Sequence, residues 1–255
     1  MIKIKETSSI IMKKKRVAII TGGARRIGEE ISRTFHQKGY DVAIHYNKSK
    51  QDAERLAQDL NFIRDDSAAT FKAELGSVIE IKSMVKSIIL WRKKIDALIN
   101  NASSFFPCSL VEAREKEWDI LINSNLKGPY FISQAIAPKL TENASIITIN
   151  DIYSFMPLEN YSIYSIAKAG NRMLTKTLAK ELAPKIRVNG IAPGLILWPD
   201  STSQMEEEIR QKIMKSIPLQ RSGSVQDIAK TALFLATSAS YITGQTIVVD
   251  GGSSI

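Results

Sequence analysis

Short apolar runs alternate along this chain with segments whose apolar positions recur every three to four residues. Runs of four to eight residues mark buried strands, and the longer period marks helices with one apolar face. Strands are predicted at residues 16–20, 41–45, 68–73, 97–99, 145–149, 187–191 and 246–249. The spacing predicts helices at residues 27–38, 51–60, 79–91, 117–140 and 162–182. Strands separated by helices pair in parallel through right-handed crossovers, so the expected fold class is α/β. It is a doubly wound parallel sheet with helices on both faces. The irregular stretch 193–203 is flanked by apolar segments and reads as a substrate-covering loop within one domain, not as a boundary. That domain is expected over residues 14–255, with 1–13 an N-terminal extension, disordered or at an edge, and Met12 an alternative start.

Composition narrows the function. The 44% hydrophobic and 24% charged content excludes a disordered or low-complexity chain. No apolar run approaches the roughly 20 residues of a membrane span, and residues 1–12 do not read as a secretory signal, so a cytoplasmic setting is expected. The single cysteine, Cys108, excludes a disulfide framework and a multi-cysteine zinc site. With His36 and His45 the only histidines, no metal is expected. Net charge is +9, but the lysines are dispersed and form no arginine-rich stripe, so nucleic acid is not the expected partner. A positive field also suits an anionic cofactor.

The first strand ends in Thr21-Gly22-Gly23-Ala24-Arg25-Arg26-Ile27-Gly28 and opens a helix. Glycine there lets backbone approach a pyrophosphate, and the helix N-terminus supplies amide donors. Arg26 stands where such turns often carry glycine. It reads either as a solvent-facing cation or as a guanidinium reaching phosphate. The second strand ends in His45-Tyr46-Asn47-Lys48-Ser49, with no carboxylate to bind a ribose 2′-hydroxyl. A cation in that place favours NADP(H), unless Lys48 only decorates the loop.

Tyr164 and Lys168 stand four residues apart on one helix face. A neighbouring ammonium favours phenolate, so the spacing predicts a tyrosine whose pKa falls toward neutrality. Asp151 closes a strand thirteen residues before Tyr164, and Asn100-Asn101-Ala102 closes another. All these positions fall at the carboxyl edge of the sheet, where ligands bind.

These motifs, with Pro193-Gly194 and the closing Tyr241-Ile242-Thr243-Gly244 and Val249-Asp250-Gly251-Gly252, resemble the short-chain dehydrogenase/reductase family from Lys15 to the C-terminus. Within it the chain looks most like the pteridine reductases. Arg26, the run His45 to Ser49, the run Asn101 to Pro107, Asp151 and the segment Tyr161 to Tyr164 carry that likeness. The resemblance implies a single-domain Rossmann-type fold, a homotetramer, and NADPH-dependent reduction of a pterin, or of a folate. It implies a catalytic group of Asp151, Tyr164 and Lys168, with Asn125 holding the helix nearby. Substrate contacts would come from Ser103, Phe105, Asp151, Tyr164 and Leu195, the pterin stacking between Phe105 and the nicotinamide. Cofactor contacts would come from Gly22, Arg26, Ile27, Gly28 and the run His45, Tyr46, Asn47, Lys48 and Ser49. Further ones would come from Glu74, Leu75, Asn101, Ala102, Ser103, Tyr164, Lys168, Pro193 and Gly194. Most members act on a carbonyl and carry serine near the Asp151 position. A carboxylate would repel a developing alkoxide, whereas a pterin nitrogen must gain a proton. Ser154, three residues on, is the alternative serine, and reduction of a ketone such as a 3-oxoacyl thioester is the alternative activity.

Overall fold

In a computed structural model, described for residues 15–197 and 207–255, each predicted strand takes its place in one sheet. The strands are β1 (Arg16–Ile20), β2 (Tyr40–Tyr46), β3 (Ala68–Lys72), β4 (Ile95–Asn100), β5 (Leu140–Ile149), β6 (Arg187–Pro193) and β7 (Thr246–Val249). Their order is β3-β2-β1-β4-β5-β6-β7, and every pairing is parallel. The chain winds outward from β1 to β3, then crosses back to lay β4 on the other side of β1. That reversal opens a crevice at the carboxyl ends of β1 and β4.

Helices cover both faces. On one side lie α1 (Arg26–Gln37), α2 (Lys50–Ile63) and α8 (Val225–Thr237); on the other lie α3 (Val78–Trp91), α5 (Gly128–Ile136) and α6 (Ser162–Leu182). Alternate β1 residues serve the two cores: Ala18 and Ile20 face α1 and α8, and Val17 and Ile19 face α3 and α5. A strand buried on both faces must be apolar at every position, which is why β1 reads as a continuous apolar run. Ile27, Ile31 and Phe35 recur every four residues and turn one face of α1 to that core.

The predicted helix 117–140 is not one helix. It divides into α4 (Glu115–Ile122), a π-helical turn (Asn123–Lys127) and α5, and a 3-10 turn (Ala137–Lys139) then leads into β5. Pro129 fits the first turn of α5, where a missing N–H costs little. Pro138 prevents the helix from continuing. Two further helices, α7 (Glu207–Ser216) and α8, fill the crossover before β7. The expected extension 1–13 lies outside the described residues, as does 198–203 of the expected substrate-covering loop. No described helix is long and apolar enough to cross a membrane.

Candidate active site

The site begins where β1 ends. Gly22 adopts φ +58°, a conformation that favours glycine, and a Cβ on Gly28 would lie 2.1 Å from the Gly22 carbonyl oxygen. Thr21 and Asn101 lace this turn to the end of β4. Thr21 Oγ1 accepts from the amides of Asn101 (2.8 Å) and Ala102 (3.0 Å), and Asn101 Nδ2 donates to Thr21 O (2.9 Å). Asn101 therefore shapes the crevice from within. Thr21 opens the glycine-turn motif, but its tie to β4 is visible only once β1 and β4 are known to be neighbours. The N-cap of α1, Arg25, gives its helix no side-chain cap, and the exposed Arg26 takes φ +54° at the first helical position.

A cleft of about 940 Å³ opens beside this turn. It gathers Gly22, the run His45 to Ser49, Glu74, Leu75, Ala102 and Ser103 from the expected cofactor set. Arg26, Ile27, Gly28 and Asn101 are not on its wall. Asn47 Nδ2 donates to Glu74, whose other carboxylate oxygen accepts the Gly76 amide at 3.1 Å. The exposed Lys48 lines the rim, where a cation stands in reach of solvent anions. Among the described residues, no cluster of His, Cys, Asp and Glu could hold a metal ion.

The catalytic candidates meet at the ends of β5 and α6. Tyr164 Oη donates to Asp151 Oδ2 at 2.6 Å, and the Tyr153 amide donates to Asp151 Oδ1 at 3.0 Å. Lys168, one turn along α6, donates to the Ile149 carbonyl at 3.1 Å. Burial raises the Asp151 pKa, opposed by the Tyr153 and Tyr164 bonds and by Lys168. The same burial, reinforced by Asp151, pushes the Tyr164 phenol well above its ordinary range. The expected lowering by Lys168 therefore does not occur: desolvation and the carboxylate outweigh the ammonium. Lys168 itself is lowered to about 8 by burial, with Asp151 opposing.

Asn125 sits in the π-helical turn. Its Nδ2 donates to Ser104 O at 2.9 Å, and its Oδ1 accepts from Ser103 Oγ at 2.9 Å. The Ser103 hydroxyl is thus committed to Asn125. Phe105, 41% exposed, packs edge-on against Tyr164 with ring centroids 4.9 Å apart. It also stacks on Tyr161 at 4.6 Å. Tyr161 was not among the expected site residues, although its i, i+3 relation to Tyr164 puts both on one side of the helix start. Cys108 is buried in one cluster with Tyr164 and Tyr161, and its backbone bridges to Tyr161. Ser154 Oγ donates to Asp151 O at 2.6 Å within its own turn, so this buried serine is spent on backbone. Pro193 ends β6 beside Val249, and Leu195 O accepts the Gly223 amide at 2.9 Å. They share the carboxyl edge with Tyr164, but neither they nor Gly194 line the cleft.

A family model described as enoyl-(acyl carrier protein) reductase matches residues 22–254. Among curated proteins, a 3-oxoacyl-[acyl-carrier-protein] reductase of Staphylococcus aureus is 37% identical over 245 residues, covering 94% of this chain and 99% of its own. The chain belongs to the short-chain dehydrogenase/reductase family. It is an oxidoreductase of that family, whose reductases use NAD(P)H and act on small molecules. Pteridine reductase 1 of Leishmania tarentolae is 33% identical over 281 aligned positions, covering 94% of this chain and 96% of its own. A 3-oxoacyl-[acyl-carrier-protein] reductase of Thermotoga maritima is 34% identical over 241 residues, covering 93% and 97%. This short-chain dehydrogenase/reductase thus resembles both a pterin-named relative and carbonyl-named ones, and overall identity does not separate them.

Proposed function

We propose that this chain is an NADPH-dependent pteridine reductase. The observation that carries the reading is the Asp151 carboxyl, 2.6 Å from the Tyr164 hydroxyl. Burial favours its protonated form. A carboxyl whose pKa burial raises, hydrogen-bonded to a phenol, is suited to passing a proton toward a ring nitrogen, and as a carboxylate would repel a developing alkoxide.

The turn at Gly22 fits a dinucleotide pyrophosphate, because Gly22 lines the cleft and α1 begins beside it with no side-chain cap on its first amides. When bound, NADPH supplies the hydride. Lys48 and Arg26 would neutralise its 2′-phosphate, and Asn47 and Ser49 would lie beside them. Lys168 spends one N–H on Ile149 and keeps two for a ribose hydroxyl. The exposed side of Phe105 offers a stacking surface for a flat heterocycle, with Tyr161 bracing the other side. Tyr164 and Asp151 would then pass the proton. Lys48→Glu should weaken NADPH and spare or improve NADH, and the wild-type preference for NADPH should be at least ~10-fold, about 1.4 kcal/mol. Equal kcat/KM for the two cofactors would remove the basis for assigning Lys48 and Arg26.

The 37% identity to a 3-oxoacyl reductase favours a second reading, reduction of a ketone or 3-oxoacyl thioester. Rates of NADPH oxidation with dihydrobiopterin and with an acetoacetyl thioester separate the two. A higher kcat/KM for the pterin is expected; turnover of the thioester alone would establish the second reading.

A further inference from the structure

His45 is a buried ionisable ring on the wall of the cofactor cleft, and what the ring itself does there follows from the partners of its two nitrogens. It is 2% exposed and stands at the end of β2, between the glycine turn and β3. Its Nδ1 lies 3.0 Å from the Gly22 amide nitrogen, and its Nε2 lies 3.0 Å from the Ala73 carbonyl oxygen. A backbone N–H can only donate and a carbonyl can only accept. Nδ1 must therefore present a lone pair while Nε2 carries the hydrogen. An imidazolium, or the other tautomer, would set N–H against N–H at Gly22.

The backbone of the same residue adds a second tie, since the Gly23 amide donates to His45 O at 3.0 Å. Two successive amides of the glycine turn thus end on one residue of β2. On the far side, the Ala73 amide donates to Tyr46 O at 3.1 Å, and the next residue, Glu74, holds Asn47. Burial keeps the ring's pKa below the ordinary histidine range, against the opposing pull of the Ala73 bond and Glu74. Arg25, Lys48 and Lys116 are the cations on the wall of the same cleft.

We propose that His45 is a positioning residue for the cofactor. Its neutral Nε2–H imidazole ties the glycine turn to the end of β3 and so holds the turn in the shape that receives a diphosphate. The inference rests on the reading that this cleft binds NADPH.

Two measurements test it. The chain has two histidines, so 15N spectra of the wild type and His36→Gln assign both rings. His45 should be neutral and Nε2-protonated at pH 6; an imidazolium or an Nδ1–H tautomer there overturns the proposal. NADPH affinity, read by nicotinamide fluorescence, should fall roughly ten- to hundredfold in His45→Phe, which keeps a ring but strands the Gly22 amide. His45→Asn keeps an acceptor near the Nδ1 position and should return to within about threefold of wild type. Because the loss is one of binding, His45→Phe should raise the KM for NADPH by a larger factor than it lowers kcat, and a fall in kcat with KM unchanged counts against the proposal. Unchanged affinity in His45→Phe, or equal losses in the Phe and Asn variants, overturns the proposal. If His45→Phe does not fold, His45→Gln takes its place and should bind more weakly than His45→Asn; the reverse order counts against the idea. Wild-type protein that binds no NADPH would refute the cofactor reading instead, leaving the tautomer measurement to stand on its own.

Discussion

Asp151 is the residue on which the choice of substrate turns. Its carboxyl accepts the Tyr164 hydroxyl at 2.6 Å, and burial together with that carboxyl holds the phenol well above its ordinary range. Asp151→Ser should therefore cost pterin reduction ~10²- to 10⁴-fold while NADPH affinity stays within about twofold. The same variant should keep or gain activity on an acetoacetyl thioester, since serine donates to a carbonyl oxygen. Pterin turnover at the wild-type rate in Asp151→Ser would remove the main chemical support for the assignment. Lys168 makes a second, independent prediction. Its pKa is about 8 in the folded chain against the ordinary 10.5, so between those values the unfolded state binds more protons. Stability should rise with pH across that window and should be lowest, as far as this group is concerned, below about 8. Urea unfolding of apoprotein from pH 7.5 to 10 checks the slope, and Lys168→Met should flatten it.

At the scale of elements, the glycine turn and α1 form one tightly closed unit. A methyl on residue 28 would press into Gly22 O and Asn101 Nδ2, which already fix the turn to β4. Gly28→Ala should lower stability by about 1–3 kcal/mol and weaken NADPH binding, read by chemical denaturation and by fluorescence titration. Strands of this fold were legible because strands covered on both faces are mostly apolar, and buried polar positions such as Asp41, His45 and Asn189 are too few to break the runs. The segment 117–140 was misread for a related reason. Its apolar period runs through Leu121, Ile122 and Leu126, and a π-helical turn inserts its extra residue without breaking that rhythm. Helix α8 went unforeseen because its buried face is rich in alanine, at 229, 232 and 236, although Ser224 and Asp227 form a capping box. Residue types at the site could be read from motif spacing, and so could the meeting of Asp151 and Tyr164 at one edge. The direction of the Tyr164 shift could not, because depth of burial is a property of the packed molecule. Glu74 illustrates the same limit. No acid follows β2 in sequence, yet the sheet order brings one to Asn47 from β3.

The whole molecule leaves apolar side chains uncovered on one layer. Trp118 and Ile120 of α4, Tyr130 of α5, and Ile166 and Met173 of α6 are each at least 40% exposed, while Ile163 and Leu174 are buried. A second copy presenting the same layer would cover them through a self-complementary two-fold contact. Light scattering should give a mass well above the 28.4 kDa monomer at micromolar concentration, with a homotetramer expected. Ile166→Glu with Met173→Glu should lower that mass, and a wild-type monomer would exclude the arrangement. One feature of the substrate end carries beyond catalysis. Cys108 is the chain's only thiol, 8% exposed, and bridged through its backbone to Tyr161 beneath the Phe105 ring. Buried with Leu121, Ile163 and Tyr164, and with Phe106 and Tyr161 packed against that cluster, the thiol should be modified only as fast as this packing opens. A thiol reagent in excess should therefore time the loosening of the packing around Tyr164, with one residue carrying the whole signal.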